Sequence, residues 1–165
     1  MLQIKKFTFN PFAENTYVLF DNSKECVVID PGCYEKSEQQ ELIEFIESNG
    51  LVVKKLLNTH CHIDHVLGNA FVKRKFNVGL FINPIEEAML RAVKSYASNY
   101  GFFQYEDSMA DGFLTEKDVV EFGEQRLKIL FVPGHSPGHL AFYDQHSGSL
   151  IGGDVLFENS IGRTD

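Results

Sequence analysis

The spacing of apolar residues predicts that the first 30 residues of this chain form strands. Three segments, Gln3 to Phe9, Thr16 to Phe20 and Glu25 to Ile29, have the length and the content of apolar and β-branched residues typical of strands. The turn-forming pair Asn22-Ser23 separates the second segment from the third. We therefore expect the chain to begin as a run of strands.

The middle of the chain has helical periodicity at three places. Ser37 and Gln40 are spaced as a capping box, and they precede the apolar stripe of Leu42 to Ile46. Val66 to Phe76 is predicted to be a short helix. A third helix is expected from Asn83-Pro84, a cap followed by proline at the first helical position, to about Ser98.

The remaining apolar segments predict more strands, and together they favour an α+β fold. Runs of strands with helices between some of them indicate two β-sheets covered by helices. The aromatic-rich segment Tyr96 to Phe113 is irregular, and it is either a wall or lid over a cleft or a loop that covers the core. The further predicted strands are Leu51 to Leu57, Gly79 to Ile82, Val119 to Phe122, Gln125 to Val132, Leu140 to Asp144 and Leu150 to Gly152.

Length and composition narrow the classes of function. The 165 residues fit a single domain spanning residues 1–165 with a substantial core. The net charge of −8 argues against a nucleic-acid partner. Three cysteines at wide spacing do not form a disulfide framework. The first residues lack an apolar signal segment and no stretch is long enough to cross a membrane, so we expect a cytoplasmic protein without a membrane partner.

The candidate chemistry begins at six consecutive residues, His60-Cys61-His62-Ile63-Asp64-His65. His60 and His62 cannot share a helical face because residues two apart point in different directions on a helix. They follow a predicted strand, at a strand end where binding groups commonly gather. Imidazole and carboxylate are ligands of zinc and related metals. Cys61 is either a further ligand or a spacer between two ligands, and the spacing favours the spacer.

Two more strand ends carry metal-binding types of side chain. His135 and His139 lie in a loop held by two Pro-Gly pairs after a predicted strand, and Asp154 follows Gly152-Gly153 after another. His146 lies in a predicted hairpin turn and is interpreted as a solvated histidine. Each of these motifs alone is weak, but together they form a coherent ligand set.

At this point the chain resembles the metallo-β-lactamase superfamily and, within it, the glyoxalase II group of hydroxyacylglutathione hydrolases. The matching residues are Val28 to Gly32, Thr59 to His65, Pro133 to His139, Gly152 to Phe157 and Ser160 to Asp165. The resemblance implies a four-layer αββα sandwich. It extends over essentially the whole chain.

The resemblance also implies roles for individual residues. His60, His62 and His135 would bind a first metal, Asp64 and His65 a second, and Asp154 would bridge both. Asp30 and His139 would orient the ligand loops through hydrogen bonds. Arg163 resembles a basic residue that the family places near an anionic substrate, and its alternative is an ordinary surface arginine. The metal would be one or two Zn²⁺ ions, with iron and manganese as the other candidates.

The chain departs from the glyoxalase II pattern after Asp154. That pattern has a further histidine downstream as a second-metal ligand, and no histidine follows Asp154 in this sequence. We interpret the chain as truncated at its C-terminal side, or else as a protein that holds only one metal firmly. Truncation would expose a sheet edge through which two copies can associate.

The implied activity is hydrolysis of a thioester, such as an S-acylglutathione, by attack of a metal-bound hydroxide. Asp64 would handle a proton. A mononuclear iron sulfur dioxygenase acting on a glutathione persulfide is the alternative in another enzyme class, and a lactonase-type hydrolase would use the same metals. A non-enzymatic domain that binds metal weakly is a further alternative. The partner in the enzymatic cases is a small thioester or glutathione conjugate.

Overall fold

The computed structural model describes residues 1–164. Its α-helices are α1 (Lys36–Ser48), α2 (Ile63–Val66), α3 (Asn69–Phe76) and α4 (Glu87–Tyr96), with 3₁₀ turns at Pro84–Glu86 and Ala97–Tyr100. Its strands are β1 (Gln3–Phe9), β2 (Glu14–Phe20), β3 (Glu25–Ile29), β4 (Val52–Leu57), β5 (Leu80–Ile82), β6 (Gly112–Phe113), β7 (Val119–Phe122), β8 (Gln125–Phe131), β9 (Leu140–Asp144), β10 (Ser149–Ile151), β11 (Leu156–Phe157) and β12 (Ser160–Ile161).

Two sheets and one separate hairpin organise these strands. The larger sheet has six strands in the order β1-β2-β3-β4-β5-β6. Its first three strands pair antiparallel, and β3 to β6 pair parallel. The second sheet has four antiparallel strands in the order β10-β9-β8-β7. The hairpin of β11 and β12 belongs to neither sheet.

The packing divides into two cores, one on each side of the six-stranded sheet. Alternate residues of β3 separate accordingly, because side chains alternate between the faces of a strand. Cys26 and Val28 join the core beneath the helices, and Val27 and Ile29 join the core between the two sheets. The α+β fold with paired sheets is therefore confirmed. All buried apolar side chains of the four helices belong to the first core. The described residues therefore form three layers, which are the helices, the six-stranded sheet and the four-stranded sheet.

Two predicted helices differ from the observed ones. Helix α1 begins at Lys36 with Glu35 as its N-cap, and Ser37 and Gln40 do not form the predicted capping box. The carboxylate of Glu38 accepts the backbone N–H groups of Tyr34 and Glu35 at 2.9 and 3.0 Å, which sets the earlier start.

The predicted helix from Val66 to Phe76 is in fact two short helices, α2 and α3. The first begins three residues earlier, at Ile63, so Asp64 and His65 lie on a helical turn and not in an open loop. The break falls at Leu67-Gly68, where the Gly68 N–H donates to the carbonyl of Pro31 at 2.7 Å. A Cβ on Gly68 would lie 2.5 Å from the Cys33 sulfur, so the close approach requires glycine.

The irregular segment after α4 forms a 3₁₀ turn and a loop whose aromatic residues divide between core and surface. Phe102 is buried in the first core, whereas Tyr100 and Phe103 are exposed. Phe102 therefore packs as part of a loop that covers the core. Among residues 1–164 no helix combines the length and the apolar character that crossing a membrane requires.

The core between the sheets should contribute strongly to stability through Phe142. This β9 side chain is only 1% exposed, so Phe142→Ala should lower the free energy of unfolding by about 3–5 kcal/mol. Its neighbour Tyr143 is half-buried and points to the other face, so Tyr143→Ala is the matched control with a smaller loss. Urea unfolding followed by circular dichroism measures both. A loss of under about 1 kcal/mol for Phe142→Ala would contradict this packing.

Candidate metal centre

Parallel pairing places the ends of β3 and β4 side by side, and this is where the predicted ligands begin. The N–H of Asp30, just after β3, donates to the carbonyl of Leu57 at 2.9 Å. The second sheet meets the same point, because the Leu140 N–H at the start of β9 donates to the carbonyl of Thr59 at 2.8 Å. Segments from both sheets thus converge at one edge of the molecule, as binding groups do in folds with parallel strands.

One group of side chains consists of three histidines. His60, His62 and His135 each present a nitrogen, and these nitrogens lie within 4.8 Å of one another. Nδ1 of His62 and Nε2 of His135 are 3.0 Å apart. Two nitrogens bound to the same tetrahedral zinc ion at its usual bond length lie about 3.3–3.4 Å apart. The spacing therefore fits a shared metal ion after a small adjustment.

A second group contains two carboxylates and one histidine. Asp64, His65 and Asp154 each present a donor atom, again within 4.8 Å of one another. Nε2 of His65 lies 3.3 Å from an oxygen of Asp64 and 3.3 Å from Oδ1 of Asp154. This donor set of carboxylate oxygens and one imidazole suits a divalent metal.

Asp154 lies between the two groups. Its Oδ1 faces His65 of the second group, and its Oδ2 is 3.5 Å from Nε2 of His135 in the first. One carboxylate thus contacts both sets of donors. This is the geometry that a bridging ligand requires.

The hydrogen bonds of His60 leave one of its nitrogens free for a metal. Asp30 Oδ2 accepts the hydroxyl proton of Thr59 at 2.6 Å, so the Thr59 oxygen accepts from Nδ1–H of His60 at 3.0 Å. We therefore assign the proton of neutral His60 to Nδ1. Nε2 is buried without a hydrogen-bond partner in the part of the chain that the structure describes. A buried polar atom left unpaired costs about 1–3 kcal/mol, and a metal ion would satisfy it.

Asp30 has the environment of an orienting residue and not of a ligand. Its Oδ1 accepts the N–H of Thr59 at 2.7 Å, and its Oδ2 lies 3.1 Å from Nδ1 of His65 besides accepting from Thr59. It is also close enough to His60 and His65 to form a third group of candidate donors. However, both of its oxygens are already occupied by hydrogen bonds. Its φ of +51° is a left-handed conformation, which is uncommon outside glycine and often retained at functional sites.

His139 also has both ring nitrogens occupied. Nδ1 lies 2.9 Å from the carbonyl of Leu140, and Nε2 accepts the N–H of Asp154 at 3.3 Å. The ring thus holds the backbone that carries Asp154 and has no nitrogen left for a metal. The geometry agrees with the orienting role that the sequence predicts.

The two remaining residues with candidate chemistry lie outside the cluster. Cys61 is fully buried in the first core, and burial raises the pKa of its thiol well above the usual range, which disfavours a ligating thiolate. It is the spacer that its position indicates. His146 lies in the turn between β9 and β10, where its N–H donates to Asp144.

The pKa values of His60 and His65, one residue from each group, are shifted in opposite directions. Burial, followed by neighbouring histidines, lowers the pKa of His60 well below its usual value. Burial also disfavours a charge on His65, but the carboxylates of Asp154, Asp30 and Asp64 outweigh it and hold the pKa of His65 well above the usual value. The neutral form of His60 is therefore favoured, whereas His65 favours its protonated form beside the carboxylates.

A cleft of about 620 Å³ opens beside the cluster. It is lined by His62, Ile63, Asp64, His135, Asp154, Arg163, Asn99 and the aromatic residues Phe12, Tyr96 and Tyr100. The volume is within the range typical of small-molecule sites. Arg163 lies at this cleft, and its carbonyl also accepts from Nδ1 of His135 at 2.9 Å.

Two buried carboxylates near the cluster were missed by the sequence analysis. Glu86 is fully buried and accepts hydrogen bonds from both histidine loops, although the sequence marks it only as an acidic residue near a helix start. Glu14 lies behind His65, with one oxygen 3.9 Å from its Nδ1. Neither has a local sequence signal of this placement, because the residues of the cluster and its loops that they contact are distant along the chain.

The paired sheets and this cluster define an α+β protein with groups of histidines and carboxylates that could hold metal ions. The comparison with known families agrees: the chain belongs to the metallo-β-lactamase superfamily, whose family model matches residues 9–165.

Individual relatives support the assignment to this family. The chain is 31% identical over 166 residues to hydroxyacylglutathione hydrolase GloC of Haemophilus influenzae, which covers 99% of this chain and 76% of that protein. It resembles the crystal structure of the B3 metallo-β-lactamase BLEG-1 with a TM-score of 0.84 and 31% identity, covering 99% and 77% of the two chains. The crystal structure of TTHA1623 in a di-iron-bound form matches with a TM-score of 0.81 and 30% identity, covering 96% and 76%.

The raised pKa of His65 predicts that metal binding releases a proton. The raised pKa favours the imidazolium form of His65, and a ligating nitrogen must lose that proton. Metal affinity should therefore fall as the pH is lowered. Calorimetry of Zn²⁺ binding in two buffers of different ionisation enthalpy gives the number of protons released. His65→Asn should release about one proton fewer than the wild type. Equal numbers for the two proteins would contradict the prediction.

Proposed function

We propose that this protein is a metal-dependent hydrolase that cleaves a thioester, such as an S-acylglutathione, at the cluster described above. The observation that carries the proposal is the buried, unpartnered Nε2 of His60 beside His62 and His135, at a cleft large enough for a small molecule. The name of the Haemophilus influenzae relative, hydroxyacylglutathione hydrolase, supports the choice of substrate.

In this proposal His60, His62 and His135 hold one metal ion, Asp64 and His65 hold a second, and Asp154 bridges them. Zinc is the proposed metal, although the di-iron relative makes iron a serious candidate. A divalent metal in such a centre lowers the pKa of a bound water and polarises a carbonyl group. Thioester cleavage suits this chemistry because a thiolate leaves readily and needs little help from an acid.

The remaining residues orient the donors and move protons. Asp30, directly and through Thr59, keeps the protons of His65 and His60 on Nδ1, so that Nε2 of each faces the centre. Asp64 is the candidate for proton transfer, since it lines the cleft and its side chain is 18% exposed. A carboxylate that reaches solvent can pass a proton outward from the reaction site.

The cleft supports a substrate with both apolar and anionic parts. Phe12, Tyr96 and Tyr100 form an aromatic wall in which neighbouring ring centroids are 6.0 Å apart. Such a wall favours the carbon portion of an acyl or thiol group. Arg163, at the same cleft, is the proposed partner for a substrate carboxylate.

The second candidate is a mononuclear iron sulfur dioxygenase acting on a glutathione persulfide, and the di-iron-bound relative supports iron as a metal that such a centre can take. The histidine and carboxylate donors accept either metal, so the donor set does not separate the two reactions. Metal content and oxygen consumption do separate them. The B3 metallo-β-lactamase relative makes a chromogenic β-lactam a useful third substrate in the same assay.

The experiment combines elemental analysis with assays of thioester hydrolysis and oxygen uptake. The wild type should contain metal and hydrolyse S-lactoylglutathione. His60→Ala should lose metal, and its rate should fall by more than about 100-fold. That loss exceeds the 10–100-fold effect of residues that only orient a ligand. The control His146→Ala changes a histidine in a distant turn and should match the wild type.

Three outcomes would overturn the proposed function. One is a His60→Ala variant with wild-type metal content and rate. Another is oxygen consumption on glutathione persulfide by an iron-loaded protein that does not hydrolyse thioesters. The third is a metal-loaded wild type that hydrolyses none of the thioesters tested.

A further inference from the structure

Glu86 is a fully buried carboxylate outside the metal cluster, at the end of the 3₁₀ turn Pro84–Glu86 that leads into α4. Its Oε2 accepts the N–H of Cys61 at 2.8 Å, and its Oε1 accepts the N–H of Gly138 at 2.7 Å and the hydroxyl of Ser136 at 2.6 Å. Charged side chains are rarely buried completely, so this residue requires an explanation.

The three hydrogen bonds come from the two loops that carry the histidines of the first group. Cys61 lies between His60 and His62, and Ser136 directly follows His135. One carboxylate therefore connects segments that are 25 and 50 residues away from it along the chain. We propose that Glu86 is a positioning residue that fixes these two loops relative to each other and so sets the spacing of the three histidines. This inference rests on the metal centre of the proposed function.

The two loops are also joined at a point that does not involve Glu86, and this explains why Glu86 would set their relative orientation. The Leu140 N–H donates to the carbonyl of Thr59 at 2.8 Å, on the side of the loops nearer the strands. A single point of attachment leaves two loops free to pivot. Glu86 adds a second point at Cys61 and Gly138, and two points define a relative orientation.

The chemistry of the site requires a carboxylate of this length. All three partners are donors, so both oxygens must accept. A glutamine amide has only one accepting oxygen, and its NH₂ group would face at least one backbone N–H. An aspartate is one methylene shorter and cannot reach both loops from the same backbone position. The approach is close as well, because a Cβ on Gly138 would lie 2.8 Å from Cγ of Glu86.

The test compares Glu86→Gln with Glu87→Gln, the adjacent exposed glutamate that pairs with Arg91. The dissociation constant for Zn²⁺ is measured by competition with a chromophoric chelator. Glu86→Gln should raise it about 10–100-fold, the effect typical of residues that orient metal ligands. Glu87→Gln should stay within about twofold of the wild type, since exposed ion pairs contribute little.

Two further measurements separate positioning from a general loss of stability. In ¹⁵N-labelled, metal-free protein the amide protons of Cys61 and Gly138 should move upfield in Glu86→Gln, because they lose a charged acceptor. Thermal unfolding in chelator reports the stability of the metal-free fold. A variant that melts at a lower temperature but binds Zn²⁺ as tightly as the wild type would overturn the inference.

A second variant keeps the test decisive if Glu86→Gln does not fold. Ser136→Ala removes one of the three donors and leaves the carboxylate in place, and it should raise the Zn²⁺ dissociation constant about threefold or more. An unchanged constant would overturn the inference. The wild type distinguishes the two proposals: if it binds no Zn²⁺ the metal centre itself fails, whereas tight binding by both wild type and variants rejects only the role of Glu86.

Discussion

The rest of the centre depends on the hydrogen bonds of the Asp30 carboxylate. It accepts the N–H and hydroxyl of Thr59 and lies at hydrogen-bond distance from His65, so three hydrogen bonds converge on one buried side chain. These contacts fix the tautomers of His60 and His65 and turn both Nε2 atoms toward the same space. The left-handed backbone at Asp30 places this carboxylate directly behind the ligands.

Two other buried side chains hold the loops around Asp30. Glu86 joins the two histidine loops, and His139 holds the backbone of Asp154. Donor atoms from distant parts of the chain therefore meet within a few ångströms of one another. A preorganised set of donors binds a metal ion with less loss of conformational freedom. The cleft and its aromatic wall then lie beside the donors, in position to hold a small substrate.

Much of this arrangement can be predicted from local sequence. The apolar segments predict nine of the twelve strands of residues 1–164, all except the two-residue strands β6, β11 and β12. Three motifs at strand ends identify every side chain that the structure brings into the two groups. Glu86 and Glu14 could not be identified because their contacts with the histidine loops and with His65 are to residues between 25 and 52 positions away. The predicted start of helix α1 was wrong for a similar reason. The carboxylate of Glu38 accepts the N–H of Tyr34, ahead of the predicted cap, and the N–H of Asn10, 28 residues away. Local patterns identify elements and ligand types, whereas the hydrogen bonds that orient them depend on the folded chain.

The most direct test of the metal centre is anomalous X-ray diffraction from crystals of the zinc-loaded protein, recorded on either side of the zinc absorption edge. We expect an anomalous difference peak about 2.0–2.1 Å from a nitrogen of each of His60, His62 and His135. A second peak beside Asp64 and His65, with Asp154 between the two, would indicate full occupancy of both groups. Zinc bound elsewhere, with no peak among the three histidines, would contradict the assignment of His60, His62 and His135 as ligands of one metal ion.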